Sequence, residues 1–413
     1  MDAFGGMADY LWHRLPLILL FAGGYLVFRL MAATRLTDAF VNWSLRRSHG
    51  RASVLLLYII GAATALSSFI PNAITVLTLL PILRRLDNGF ARQGVPGMTT
   101  VLMLAAIYGA QLGGMGSMIG SPANAILIGA LDFFQVPGRD LINFFNWFLW
   151  SVPLVAMLAF IAWGVACLGL PAEARGRSVS LPGLDREPVT RRQRYGAALF
   201  WFYMGFWILE AVLRAVLPGF ADVSPLACLG FSGLFLYLVF LRPAPASPYG
   251  QGPLLAPSDM LRGVPRRGLI FILALAVIFA AVKLLHLDAR AAELAATLLQ
   301  NTMPGPVLFL LVVLAVIFLT EALSNTAVVA AFFTIGFYAA QAHGMDPLPV
   351  MIGVSIASTC AFMTPIATPA NALAFGEMQG ASLRTMLGLG FLLNLACAVV
   401  ITFWLGMMLP LIY

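Results

Sequence analysis

Ile119-Gly120-Ser121-Pro122-Ala123-Asn124 interrupts a long apolar run, and the chain returns to the pattern at Ile366-Ala367-Thr368-Pro369-Ala370-Asn371. The first run, about 98–133, is too long for one crossing of a bilayer core roughly 30 Å thick, and the second occupies about 347–378. A proline inside an apolar helix removes a backbone donor and breaks the helix, freeing carbonyls and amides at membrane depth. Irregular backbone is tolerated there only where it lines protein or a water-filled cavity. The repeated motif therefore predicts two broken transmembrane helices that face a cavity.

A second pair of motifs lies upstream. Ala65-Leu66-Ser67-Ser68-Phe69-Ile70-Pro71-Asn72-Ala73 sits in an apolar stretch at about 53–83, and Phe318-Leu319-Thr320-Glu321-Ala322-Leu323-Ser324-Asn325-Thr326 in one at about 306–340. Aligning Asn72 with Asn325 sets Ser67 on Thr320, a hydroxyl five residues earlier in both. The stretch 53–83 is basic at both ends, with Arg46, Arg47 and Arg51 before it and Arg84, Arg85 and Arg92 after. A single crossing would leave one cluster on the wrong side of the membrane, so a re-entrant hairpin that enters and leaves on the cytoplasmic side is expected. Two motifs repeated in order, in halves of opposite topology, are the signature of an inverted-repeat transporter.

Single spans fill the rest of the map. One covers about 15–33, followed by an amphipathic stretch, 36–47, expected at the interface. Another covers about 148–170, three more about 195–217, 223–241 and 268–286, and the last about 385–411. The expected fold is thus an all-α polytopic membrane protein of two inverted repeats, each with a re-entrant hairpin and a broken transmembrane helix. The first repeat takes 1–170, a cytoplasmic linker 171–194, and the second repeat 195–413. Threading this map places about 19 of the 24 Lys and Arg on one side, which makes that side the cytoplasm and puts both termini outside. Hairpin two then enters from outside, where Asp288, Glu293 and Asp346 have only Lys283 and Arg290 for company. No basic n-region or cleavage site marks the N-terminus, so 15–33 is expected to be retained as a span of an inner-membrane protein.

Composition excludes other classes. The 413 residues are 61% hydrophobic and 10% charged, too few charges to cover a soluble surface. The net charge of +7 includes no basic run interleaved with aromatics, so no nucleic-acid partner is expected. Cys167, Cys228, Cys360 and Cys397 lie unpaired in apolar runs and read as packing residues. The four histidines are isolated near span ends, and no nucleophile–base pair or metal cluster supports a membrane enzyme.

The half-helix before each break ends in free carbonyls, which with Ser, Thr and Asn oxygens suit a hard cation such as sodium. The half-helix after it begins with free N–H groups and the positive dipole end, which suit an anion. Taken singly, each polar residue is as readily interhelical hydrogen-bond glue. Four motifs paired across two halves favour a site.

Ser324-Asn325-Thr326, followed by Thr368-Pro369-Ala370-Asn371, resembles the divalent anion/sodium symporter family of the ion-transporter superfamily, with its S-N-T hairpin tips and T-P-P-N-like breaks. The resemblance runs from about residue 20 to the C-terminus and implies a dimeric carrier of dicarboxylate, citrate or sulfate, usually sodium-coupled, working by an elevator motion. It implies one sodium site at Thr320, Ser324, Asn325 and the backbone of Ala367, and another at Ser67, Asn72 and the backbone of Gly120. The anion would sit near Asn72, Ser121, Asn325, Thr326 and Thr368.

This chain departs from the family at the first tip, where Pro71-Asn72-Ala73 replaces S-N-T and two hydroxyls are missing, which predicts a weaker first sodium site. One span precedes hairpin one, whereas three precede hairpin two. The same features resemble arsenite and sodium/proton exchangers, which rely on an intramembrane acid; Glu321, Glu210, Asp132 and Glu377 are the candidates, and protons would then replace sodium. Glu321, beside the second tip, reads either as a coupling group or as a structural hydrogen-bonding one. Glu210 and Arg214, four apart, are placed to pair on one helix.

Overall fold

A computed structural model describes residues 3–48, 51–175, 189–217, 219–245, 252–258 and 304–413. The expected span at 268–286, its flanking charges and most of the linker lie outside the described residues.

The described chain is built of helices. In order they are α1 (Ala3–Thr34), α2 (Leu36–Arg46), α3 (Ala52–Ser67), α4 (Asn72–Arg92), α5 (Thr99–Gly113), α6 (Pro122–Phe133) and α7 (Phe144–Leu168). They continue with α8 (Arg191–Val216), α9 (Phe220–Phe240), α10 (Gly305–Thr320), α11 (Asn325–Ala342), α12 (Pro347–Ala357), α13 (Pro369–Glu377) and α14 (Leu383–Ile412). Among the described residues six helices are long and apolar enough to cross a membrane, within α1, α7, α8, α9, α11 and α14. Large apolar side chains stand outward on them, such as Phe160, Trp201, Leu226 and Phe403 at 60–71% exposure. So much exposed apolar surface suits lipid, not water.

Helices α1, α8 and α9 pack together as one compact unit. Tyr203 on α8 donates its hydroxyl to Leu20 O at 2.6 Å, and Gly23 makes room for its ring. Glu210 and Arg214 do pair, at 3.1 Å, and Ser224 of α9 donates to the same carboxylate oxygen. Every lone pair and N–H so used in an apolar interior offsets part of the cost of burying the charges.

The second unit holds α3 to α6, α10 to α14 and α7 from residue 149 onward. Its centre is α5 and α12: every residue from Thr100 to Gly113 is buried, and so is all of α12 except Pro349. Helices apolar on all sides are found in such positions. Helix α3 lies directly on α5, because a Cβ at Gly109 would stand 2.5 Å from Ile60 O and one at Gly113 2.5 Å from Thr64 O. Elsewhere α6 packs on α11 and α12, and α13 packs reciprocally on α4 and α5.

The interruptions fall earlier than the sequence motifs suggest. The first broken helix stops at Gly113 and resumes at Pro122, so its break is 114–121, where residues 120–124 were expected. Gly113-Gly114-Met115-Gly116 disfavours helix before the proline is reached. The second broken helix stops at Ala357 and resumes at Pro369. The hairpins turn at 68–71 and 321–324, so Asn72 and Asn325 open the second limbs.

Candidate functional site

Each half-helix after a break starts on a hydroxyl cap. Ser121 accepts from Ala123 N at 3.3 Å and Thr368 from Asn371 N at 3.2 Å, each with proline at the first helical position, where a missing N–H costs nothing. Ser324 caps α11 through Ala327 N at 3.3 Å, whereas Pro71 gives α4 no side-chain cap. The asparagines of the P-A-N motifs fasten the breaks. Asn124 Nδ2 donates to Gly114 O and Ser117 O at 3.2 and 3.0 Å, and Asn371 Nδ2 to Ala361 O and Thr364 O, both at 2.9 Å. Both asparagines thus stitch the carbonyls of an unwound segment to the helix that follows it.

The residues expected at the first cation site come together. Ser67 Oγ donates to Asn72 Oδ1 at 2.7 Å. A Cβ on Gly120 would stand 2.9–3.2 Å from Gly114 O, Ser68 O and Gly113 O, so three carbonyl oxygens converge on that glycine. Oxygens of this kind, from unwound backbone and neutral side chains, fit a sodium ion. At the second tip Thr320 is buried with its hydroxyl on Ile317 O at 2.8 Å, and Ser324, Asn325 and Thr326 lie at or near the surface. Asn325 Oδ1 is buried without a hydrogen-bond partner, and Ala367 is buried nearby in sequence to the Thr368 cap. An unpartnered buried carbonyl oxygen is costly, and a water or an ion is one way to satisfy it; Asn394 Oδ1 shares this state.

Thr368 was expected to face the anion, but its hydroxyl is saturated. It donates to Asn371 Oδ1 at 3.0 Å and accepts from Asn371 N and from Gln111 Nε2 at 2.8 Å. That hydroxyl is buried at the helix start, whereas Ser121, Ser324 and Thr326 lie nearer the surface.

Sequence reasoning missed three participants. Gln111 on α5 accepts from Asn72 Nδ2 at 2.6 Å and donates to Thr368 and Asn371, so it joins the first hairpin to the second broken helix. A lone amide in an apolar helix was the available signal. Ser117 and Thr364 fall on each other in the register that pairs Asn124 with Asn371. Ser117 Oγ donates to Ser68 O, and Thr364 Oγ1 to Glu321 O at 2.7 Å.

Glu321 braces the second break through four donors. Its carboxylate accepts from Phe362 N at 2.7 Å, Met363 N at 2.8 Å, Thr364 N at 2.9 Å and Asn394 Nδ2 at 2.8 Å. Gly390 lets this segment approach α14, since a Cβ there would stand 2.6 Å from Phe362 O. Asp132 lies 3.7 Å from Arg139, and Glu377 pairs with Arg84, which also donates to Glu377 O at the C-terminus of α13.

The family model described as CitMHS, citrate transporter, matches residues 7–334. An uncharacterized transporter of Haemophilus influenzae is 25% identical over 413 residues, covering 98% of this chain and 83% of the relative. The sodium-dependent dicarboxylate transporter SdcS of Staphylococcus saprophyticus is 26% identical over 419 residues, covering 95% and 76%. Among solved structures, the YdaH transporter of Alcanivorax borkumensis, described as having an unusual topology, superposes with a TM-score of 0.62 at 15% identity, covering 100% of this chain and 91% of that one. This last likeness is one of fold.

Proposed function

This chain belongs to the citrate transporter family, and from that premise we propose that it carries small dicarboxylate-type anions across the inner membrane together with sodium. It is a multi-pass membrane transporter, not an enzyme. Its relatives named as sodium-dependent dicarboxylate transporters support the choice of anion and ion.

One observation carries the reading. A run of buried and half-buried polar contacts leads from Ser67 through Asn72, Gln111 and Asn371 to Thr364 and Glu321, so it links the first hairpin tip to the second through one broken helix from each half. Polar side chains in an apolar interior are costly unless paired, and here the pairing crosses between the halves from Gln111 to Asn371. Glycine-lined carbonyls at one end and the open oxygen of Asn325 at the other supply cation ligands. The positive dipole ends of α6 and α13 favour a bound carboxylate. The inverted-repeat reading draws support from the matched Asn124 and Asn371 stitches. All candidate residues lie in one compact unit, which supports an elevator-type movement of that body.

In proteoliposomes the protein should accumulate labelled succinate when a sodium gradient points inward, and not when choline replaces sodium. Asn325→Ala should lower that uptake by about tenfold or more with the protein still monodisperse, because it deletes the unpartnered oxygen. Uptake driven by a proton gradient alone would overturn sodium coupling.

A further inference from the structure

Gln111 is fully buried three residues before the first break, and its amide has no choice of orientation. The oxygen and nitrogen ends of an amide are assigned from their partners. Here the assignment starts from two backbone carbonyls, Ala361 O and Thr364 O, which accept from Asn371 Nδ2. Carbonyls only accept, so Asn371 must turn Oδ1 towards Gln111. Gln111 therefore presents Nε2 to Asn371, at 3.1 Å, and Oε1 to Asn72. Asn72 answers with Nδ2 at 2.6 Å, which turns its own Oδ1 towards Ser67. Two carbonyls in the second half thus decide which atom of Asn72 faces the first tip, and Gln111 transmits that decision.

We infer that Gln111 is the positioning residue for cation binding at the first tip: it holds Asn72 oxygen-first beside Ser67, which makes the two side chains an oxygen pair. The inference rests on the sodium-coupled reading above. A hard cation accepts only oxygen ligands, and an inverted amide would offer it two N–H groups instead. Ser67 can release its hydrogen without losing a partner, because Ile70 O lies 3.4 Å from the same hydroxyl. Asn72 is half-buried and would sample both amide orientations once Gln111 no longer distinguished them. The device belongs to the first tip alone. In the register that pairs Asn124 with Asn371, Gln111 falls on Ser358, whose hydroxyl donates to Ser355 O at 2.6 Å within its own helix. A fixed amide would offset, at the first tip, the two hydroxyls that Pro71 and Ala73 do not provide.

The test titrates the purified full-length protein with sodium chloride against choline chloride and follows the thermal unfolding midpoint, since an ion that binds only the folded state raises it. Sodium-driven succinate uptake is measured in parallel. Gln111→Met keeps the length of the side chain without its polar ends, and should raise the half-saturating sodium concentration about tenfold in both assays. Gln111→Glu retains the acceptor for Asn72 and should respond to sodium at or below the wild-type concentration; Ser358→Ala should not move it. Unchanged sodium response in Gln111→Met overturns the inference while sodium-driven uptake by the wild type stands. Equal damage in Gln111→Met and Gln111→Glu marks a packing role and also overturns it. Should Gln111→Met not fold, a raised half-saturating sodium concentration in folded Gln111→Glu is decisive against it. A wild type with neither sodium stabilisation nor sodium-driven uptake removes the functional reading, and this inference with it.

Discussion

The two hairpin tips meet their breaks in the same way but are secured by different means. In each, a hydroxyl from the break donates to a backbone carbonyl of the turn, Ser117 to Ser68 and Thr364 to Glu321. In the first half the break is glycine-rich and turns on itself: Met115 N donates to Leu112 O at 3.2 Å and Gly116 N to Gly113 O at 2.8 Å. In the second half, Cys360, Ala361, Met363 and Ala367 occupy the positions of Gly113, Gly114, Gly116 and Gly120. The N–H groups of Phe362, Met363 and Thr364 then find their acceptor in Glu321. Where close backbone approach satisfies the unwound segment, the turn carries Ser68; where larger residues stand, a carboxylate takes over. An unwound backbone in an apolar interior must be satisfied somehow, and the halves use two solutions.

The largest expected effect breaks the second solution. Glu321→Ala orphans three backbone donors, one buried and two half-buried, together with the buried Asn394 amide, and should cost at least about 3 kcal/mol, seen as lost folded yield and a lower unfolding midpoint. Ser68→Ala removes only a bond to Thr64 O and should cost about 1 kcal/mol or less. Equal losses would abolish the distinction, because it requires the carboxylate to replace the self-contained turn.

A smaller effect probes the first solution. Gly113→Ala would place a methyl 2.5 Å from Thr64 O and 2.7 Å from Ser67 Cβ, so α3 must shift to admit it. About 1–3 kcal/mol of destabilisation is expected, with uptake impaired beyond the stability loss because Ser67 moves. A neutral outcome in both measurements would mean that the α3–α5 contact is looser than the glycine spacing indicates.

The smallest concerns Arg84, which links α4 to the end of α13 through Glu377. Both side chains are about half exposed, at 50% and 49%, so Arg84→Ala should shift stability by less than about 1 kcal/mol. A larger loss would show that this pair, and not the polar run through Gln111, ties the first hairpin to the second broken helix.

The sequence by itself determined the class of molecule, the two breaks and the two tips. Those features are local: apolar run length, a proline that removes a donor, a Ser or Thr placed to cap the next helix, and charge at the ends of a span. Ser121-Pro122 and Thr368-Pro369 carry their own instructions for where a helix begins. The starts of the breaks were less legible: the glycines of 113–116 weaken helix locally, but Ala357-Ser358 ends one only because packing and hydrogen bonding favour the unwound form. What the polar residues do was decided by tertiary structure. Gln111 meets Thr368 and Asn371 across 257 and 260 residues, and Glu321 meets Asn394 across 73. A lone amide or acid in an apolar helix announces that a partner must exist, because leaving it unpaired is costly. It carries no periodicity that says which partner, and only the folded chain brings the two together.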